Sequence, residues 1–289
     1  MPMSDAPDAV VLALPYRRPF AFDHLLRFHA ARAVPGVEHV DEAAYTRVLA
    51  LPRGPAVAVV SDDDGAVRLE LRHAHPDDVA AAAGLVRRML DLDADPQAVD
   101  AALREDPAAA RSVTRFPGLR VPGSPDPHES LFRAIVGQQI TVARATALLA
   151  DMAARMPSLG FDGPVDRLFP TAERMAEGLH ALYRGPAARR EALRGAAEAL
   201  VEDPDLLERT RDPEALSETL VGLRGVGPWT AAYVSMRVLN APDVPLPGDA
   251  AVATGARLLG VDDAAAAYER VRPFRSSFTI HAWNAAAGG

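Results

Sequence analysis

The residues best equipped for chemistry lie between Gly222 and Val252, in the stretch GLRGVGPWTAAYVSMRVLNAPDVPLPGDAAV. Asp249 presents a single carboxylate directly after a Leu-Pro-Gly step. Such a group caps a helix start. It can equally stabilise the positive charge that develops on a sugar as a glycosidic bond breaks, and orient a water. Trp229 and Tyr233 stand four residues apart, so both rings fall on one face at the start of one helix. The pair either packs into a core or forms a platform for a flat ligand. A cationic, extruded nucleobase suits that platform best, because ring faces carry negative potential. Trp283, in RPFRSSFTIHAW near the end, reads by itself as a core aromatic, and His281 beside it as a packing or surface residue.

These side chains need a frame. In LRGVGPW, Gly225 and Gly227 bracket Val226 between two helical segments, and Pro228 suits the first turn of the second helix. The reading is a helix-hairpin-helix over about 216–240. Its turn N–H groups and the positive end of the new helix point the same way, so a phosphate can bind there without a basic side chain. An ordinary helix connection gives the same local pattern.

Composition sets limits. The 289 residues contain no Cys, which excludes disulfides, thiol nucleophiles and any cysteine-held iron–sulfur cluster. They contain no Lys, so all 31 basic residues are Arg and a lysine Schiff base is impossible. Net charge is −8, mildly unfavourable for nucleic acid, yet Leu220 to Ala241 carries two Arg and no carboxylate. The first residues lack the pattern of a signal peptide, and no apolar run is long enough to span a membrane. The expectation is a cytoplasmic monomer.

Along the chain the pattern changes once. The first part is α+β: β-type runs at AVVLALPY, YTRVLAL, AVAVVS and AVRLEL, with helices over FAFDHLLRFHAARAV and from Pro76 to about Leu92. This predicts a small antiparallel sheet with two helices over 1–98, ending in a linker, DLDADPQAVD. Residues 99–289 read as all-α, with breaks at Pro122–Pro125, Pro157–Pro164, Gly185-Pro186, Gly225–Pro228 and Pro242–Gly248. No strand is expected after Val121.

With these residues together, the chain resembles the helix-hairpin-helix DNA glycosylases, specifically the bacterial 3-methyladenine DNA glycosylase II (AlkA) type. The likeness covers nearly the whole chain. It runs through LPYRRPF…LLRFHAARAVPGVEHV, FRAIVGQQITVARA, the hairpin and catalytic segment, and RPFRSSFTIHAW. The resemblance implies a cleft between 127–240 and the helices of 99–126 plus 241–289. Asp249 would be catalytic, and Trp229, Tyr233 and Trp283 would receive the base. The hairpin from Leu223 through Arg224, Gly225, Val226 and Gly227 would hold a phosphate, with a Na+ or K+ ion on the carbonyls of Leu223 and Val226. Gln138, Gln139 and Ile140 would face DNA, with Gln139 or Ile140 filling the gap left by the extruded base. Gln139 stands where that family has an apolar wedge, and Gly248 where it has a second Asp. Bifunctional relatives carry Lys at the position of Trp229.

The expected partner is therefore double-stranded DNA holding a damaged base, and the expected reaction removes alkylated purines without lysine-dependent strand cleavage. A glycosylase for a deaminated or oxidised base is the nearest alternative. A non-catalytic module that binds damaged DNA is the alternative from another class.

Overall fold

The computed structural model describes residues 9–288. Five antiparallel strands come first: β1 (Val10–Pro15), β2 (Glu38–Val40), β3 (Ala44–Leu51), β4 (Gly54–Asp63) and β5 (Ala66–Arg72), in the order β1-β5-β4-β3-β2. The period-2 alternation of β5 turns Val67, Leu69 and Leu71 inward and leaves Arg68, Glu70 and Arg72 outward. Two helices, α1 (Phe22–Ala30) and α2 (Val79–Met89), cover that inner face with Phe22, Leu25, Leu26, Ala82, Val86 and Met89. The small sheet with two helices is as the sequence predicts. The short strand β2 was not expected, because three residues, Glu-His-Val, carry no readable alternation.

The opposite face of the sheet is also covered. Val48 and Val57 pack with Val165, Leu159, Phe161 and Leu168 from the Pro-rich segment around 157–170. A parallel bridge joins Gly36 to Val165, so this break in the helical pattern is a lid on the sheet. Burial on both faces explains why β3 is almost continuously buried.

The stretch read as a linker is one only as far as Asp95. There α3 (Pro96–Arg104) begins, because Asp95 accepts from the N–H groups of Gln97 and Ala98 and Pro96 occupies the first turn. The other helices are α4 (Pro107–Arg115), α5 (Pro127–Gly137), α6 (Val142–Ala153), α7 (Ala172–Leu182), α8 (Ala187–Glu202), α9 (Pro213–Val221), α10 (Pro228–Leu239), α11 (Ala250–Leu258), α12 (Ala264–Arg270) and α13 (Arg275–Ala286). Helices α5 to α10 share one apolar core, from Leu131 and Phe132 through Leu193 to Val234. A second core joins α3, α4 and α11 to α13 through Leu103, Val113, Val252, Ala256 and Phe278. The two helical groups face each other across Trp229, Tyr233 and Trp283, which pack on a smaller cluster around Met236, Leu246 and Ile280.

The sheet is tied to α5 by buried charge. Glu38 of β2 pairs with Arg133, and Arg47 of β3 donates to Glu129 at 2.9 Å. Tyr45 closes the group by donating to Glu38 at 2.6 Å.

Candidate active site

Asp249 caps α11, as its position before Ala-Ala-Val implies. Its Oδ1 accepts from the N–H of Val252 at 2.7 Å. The cap is only part of its surroundings. Trp229 Nε1 donates to Oδ2 at 2.9 Å, and Trp283 Nε1 donates to Oδ1 at 3.2 Å. Both tryptophans of the chain thus end on the same carboxylate. Oδ1 holds two donors and Oδ2 one, so Oδ2 keeps the more open lone pair for a ligand.

Close helix packing brings these groups together. At Gly255, one turn into α11, an added Cβ would lie 1.8 Å from the carbonyl oxygen of Ala282 on α13. Only glycine permits this approach, and it carries Asp249 to Trp283, the residue next to Ala282. Gly248, with φ +76°, makes the turn that precedes the cap.

The rings form one wall and a wedge. Trp229 and Tyr233 stack at 5.3 Å with planes 10° apart. A base sandwiched between two rings needs roughly 7 Å, twice the ~3.5 Å carbon contact distance, so nothing flat fits between this pair. Tyr233 and Trp283 stand 6.3 Å apart and tilted by 50°, a wedge whose two rings are both half-buried. His281 is buried, with its Nδ1 2.8 Å from the Ser112 hydroxyl, and is packing as the sequence suggests.

The hairpin between α9 and α10 is built as its glycines require, but the two differ. Gly225 has φ +83°, and a Cβ there would lie 2.5 Å from the Ala192 Cβ on α8. Gly227 has φ −91° and open space where a Cβ would be. Nothing inside the protein demands glycine at 227, which leaves the N-terminus of α10 bare toward solvent. Val226 is buried and donates its N–H to the carbonyl of Leu223 at 3.1 Å. Arg224 is exposed. Among the described residues, the N–H groups of Arg224, Gly225 and Gly227 have no acceptor.

The turn between α5 and α6 separates its three residues. Gln138 donates its side-chain amide to the carbonyl of Gly225 at 2.9 Å and to Thr230 Oγ1 at 3.0 Å. Its side chain therefore links this turn to the hairpin and is spent within the protein. Gln139 is exposed, with φ +57°, a conformation uncommon for a residue with a side chain. Ile140 packs against the α5–α10 core. Arg189 of α8 donates to the Gln138 carbonyl and steadies the same turn. Thr230 and Arg189 were not anticipated from sequence, since nothing local marks a side chain whose partner is 92 or 51 residues away.

No helix among the described residues is long and apolar enough to cross a membrane. Comparison with known proteins gives the context. Residues 11–126 match the AlkA N-terminal domain family. The chain is 34% identical to the DNA-3-methyladenine glycosylase 2 of Escherichia coli K12 over 278 residues, covering 93% of this chain and 95% of that protein. It is also 34% identical, over 95% of its length, to the bifunctional transcriptional activator/DNA repair enzyme AlkA of Mycobacterium tuberculosis, of which it spans 56%. Among solved structures, the 3-methyladenine DNA glycosylase of Archaeoglobus fulgidus superposes with a TM-score of 0.79 at 19% identity, covering 96% of this chain and 98% of that one. An 8-oxoguanine glycosylase/lyase of Clostridium acetobutylicum bound to double-stranded DNA shares the fold, with a TM-score of 0.74 at 16% identity, covering 98% and 96%. With a third of its residues identical over nearly the whole of both chains, the chain belongs to the AlkA family of helix-hairpin-helix DNA-3-methyladenine glycosylases.

Proposed function

We propose that this protein is a monofunctional DNA glycosylase that releases alkylated purines by hydrolysis. The observation that carries this reading is the meeting of both indole N–H groups on Asp249, beside the ring wedge. An extruded purine alkylated at N3 or N7 carries positive charge, which the ring faces attract by roughly 0.5–2 kcal/mol per ring. Its glycosidic bond breaks heterolytically. The bonding electrons leave with the base and neutralise it, so no general acid is required. Asp249 Oδ2 faces the sugar cation and takes a proton from the water that adds at C1′. Free base and an abasic site result. With no lysine in the chain, lysine-dependent strand cleavage has no nucleophile.

The DNA is held by the unpaired N–H groups of the hairpin and the bare start of α10, which suit a phosphate. In this reading a monovalent cation would bind the carbonyls of Leu223 and Val226, with that of Leu223 already giving one lone pair to the Val226 N–H. Gln139, exposed at the tip of its turn, fills the gap left by the base, while Ile140 anchors the turn from below. A strained residue held at such a tip is consistent with a functional contact.

The test is single-turnover release of free base from methylated duplex DNA. Asp249→Asn is expected to slow release by about 10²–10³-fold, the usual loss on removing one charge-stabilising group. Release near the wild-type rate would remove Asp249 from the chemistry.

A further inference from the structure

Two arginines without a carboxylate partner among the described residues, Arg237 and Arg32, lie beside the hydroxyl end of Tyr233. Arg237, one turn beyond Tyr233 on α10, donates Nη1 to the Tyr233 oxygen at 2.7 Å and Nη2 to the carbonyl of Gly123 at 2.8 Å. Arg32, just after α1 in the sheet domain, lies with its guanidinium 3.9 Å from the centre of the Phe28 ring and donates to the Phe28 carbonyl at 3.1 Å. Arg237 approaches the same ring at 5.0 Å. Among the described residues, neither guanidinium pairs with a carboxylate. Two such charges around one phenylalanine, away from bulk water, raise the local potential.

Tyr233 feels that potential directly. Burial by itself pushes its phenol up, but the Arg237 and Arg32 guanidiniums outweigh it and hold the group below the ordinary tyrosine range. The hydroxyl has one proton to give and accepts from Arg237, which polarises the O–H bond and makes it a better donor. Among the described residues, that proton has no acceptor. The ring is half-buried and forms one side of the wedge with Trp283.

The purines differ at the edge such a donor would meet. Guanine presents a carbonyl oxygen at position 6, whereas adenine presents an amino group, itself a donor. An N7-alkylated guanine carries positive charge for the ring faces and still offers the carbonyl acceptor. An N3-alkylated adenine carries the charge but sets its amino group against the arginines.

We propose that Tyr233, polarised by Arg237, is a specificity-determining residue whose hydroxyl donates to a carbonyl on the extruded base, raising release of N7-alkylguanine relative to N3-alkyladenine. Arg237 and Arg32 act through it as positioning residues. This rests on the reading that the protein releases alkylated purines.

Duplex DNA treated with a methylating agent carries both lesions, so one reaction reports both free bases by chromatography. The ratio of their initial rates is independent of the fraction of active protein. Tyr233→Phe keeps the ring and removes the donor. It is expected to lower the ratio of 7-methylguanine to 3-methyladenine about tenfold, the value of one hydrogen bond to a polarised partner. Arg32→Met leaves the hydroxyl in place and should lower the same ratio about threefold, so the inference remains testable if Tyr233→Phe folds poorly. Equal slowing of both bases, with the ratio unchanged, would overturn the inference and leave the glycosylase reading intact. A wild-type protein that releases neither base would overturn both.

Discussion

Two groups of arginine lie where the sheet domain meets the helical region, and they are built on opposite plans. Arg47 is buried and Arg133 half-buried, and each pairs with both Glu38 and Glu129, while Tyr45 donates to Glu38. Burial raises the Glu38 carboxyl, but Arg133 and Arg47 override it and bring it down to about 2. Arg32 and Arg237 share a phenylalanine face and carbonyl oxygens instead of carboxylates. The first group fixes α5, whose end carries the Gln138–Ile140 turn. The second borders the base wedge. Charge that is matched serves position, and charge left unmatched beside a cleft is available to a ligand.

The contrast can be broken by mutation. Arg47→Met leaves Glu129 and Glu38 short of a partner in a buried site, and should cost about 3–5 kcal/mol. At roughly 2–4 °C per kcal/mol for a chain of this size, the thermal midpoint falls by about 6–20 °C. A loss of only a degree or two would show that the network is not what joins the domains.

The hairpin offers the same contrast on a smaller scale. Gly225→Ala meets both a left-handed backbone and the Ala192 side chain, so it should cost about 1–3 kcal/mol of stability. Gly227→Ala has neither obstacle. Its thermal midpoint should stay within a degree of wild type while binding to undamaged duplex, measured by fluorescence anisotropy, weakens severalfold. If both variants bind DNA normally, the hairpin is a packing element only.

Acidity separates the network from the nearby imidazoles. Burial, with Arg27 and Arg32 adding to it, holds His24 down to about 4, and burial with His24 holds His281 down to about 3. Both fold in the neutral form and bind protons more readily when unfolded. Their contribution is therefore complete above about 6.5 and is lost as pH falls toward 4. Glu38 has the usual carboxylate sign, with stability present above 4.5 and lost only as pH falls toward 2. Thermal midpoints taken between pH 7 and pH 4.5 should decline, and His24→Leu should flatten that decline by a few degrees. An unchanged slope in that variant would assign the acid sensitivity elsewhere.

The smallest effect has the opposite sign. Arg32→Met removes an uncompensated charge and keeps an apolar stem, so the thermal midpoint should hold or rise by a degree or two. A fall as large as that of Arg47→Met would mean that Arg32 is structural.

Much of the architecture is set by short-range rules and was open to reading. The alternation of β5, the Asp-Pro starts of α3, α5 and α9, and the Gly-x-Gly-Pro turn each depend on residues within one or two turns of one another. The same is true of Asp249 as a cap, and absent Lys and Cys exclude whole chemistries without any fold. What tertiary structure alone decided is who meets whom across the cleft. Trp229 and Trp283 stand 20 and 34 residues from Asp249; Trp283 reaches it because α11 lies against α13 at Gly255, and Trp229 reaches it from the first turn of α10. Gln138 turned inward to the hairpin, Gln139 outward, and Arg32 arrived at Tyr233 from another domain. No local signal carries such pairings, because they follow from how separately stable elements pack, and a side chain's partner is fixed only once that packing is complete.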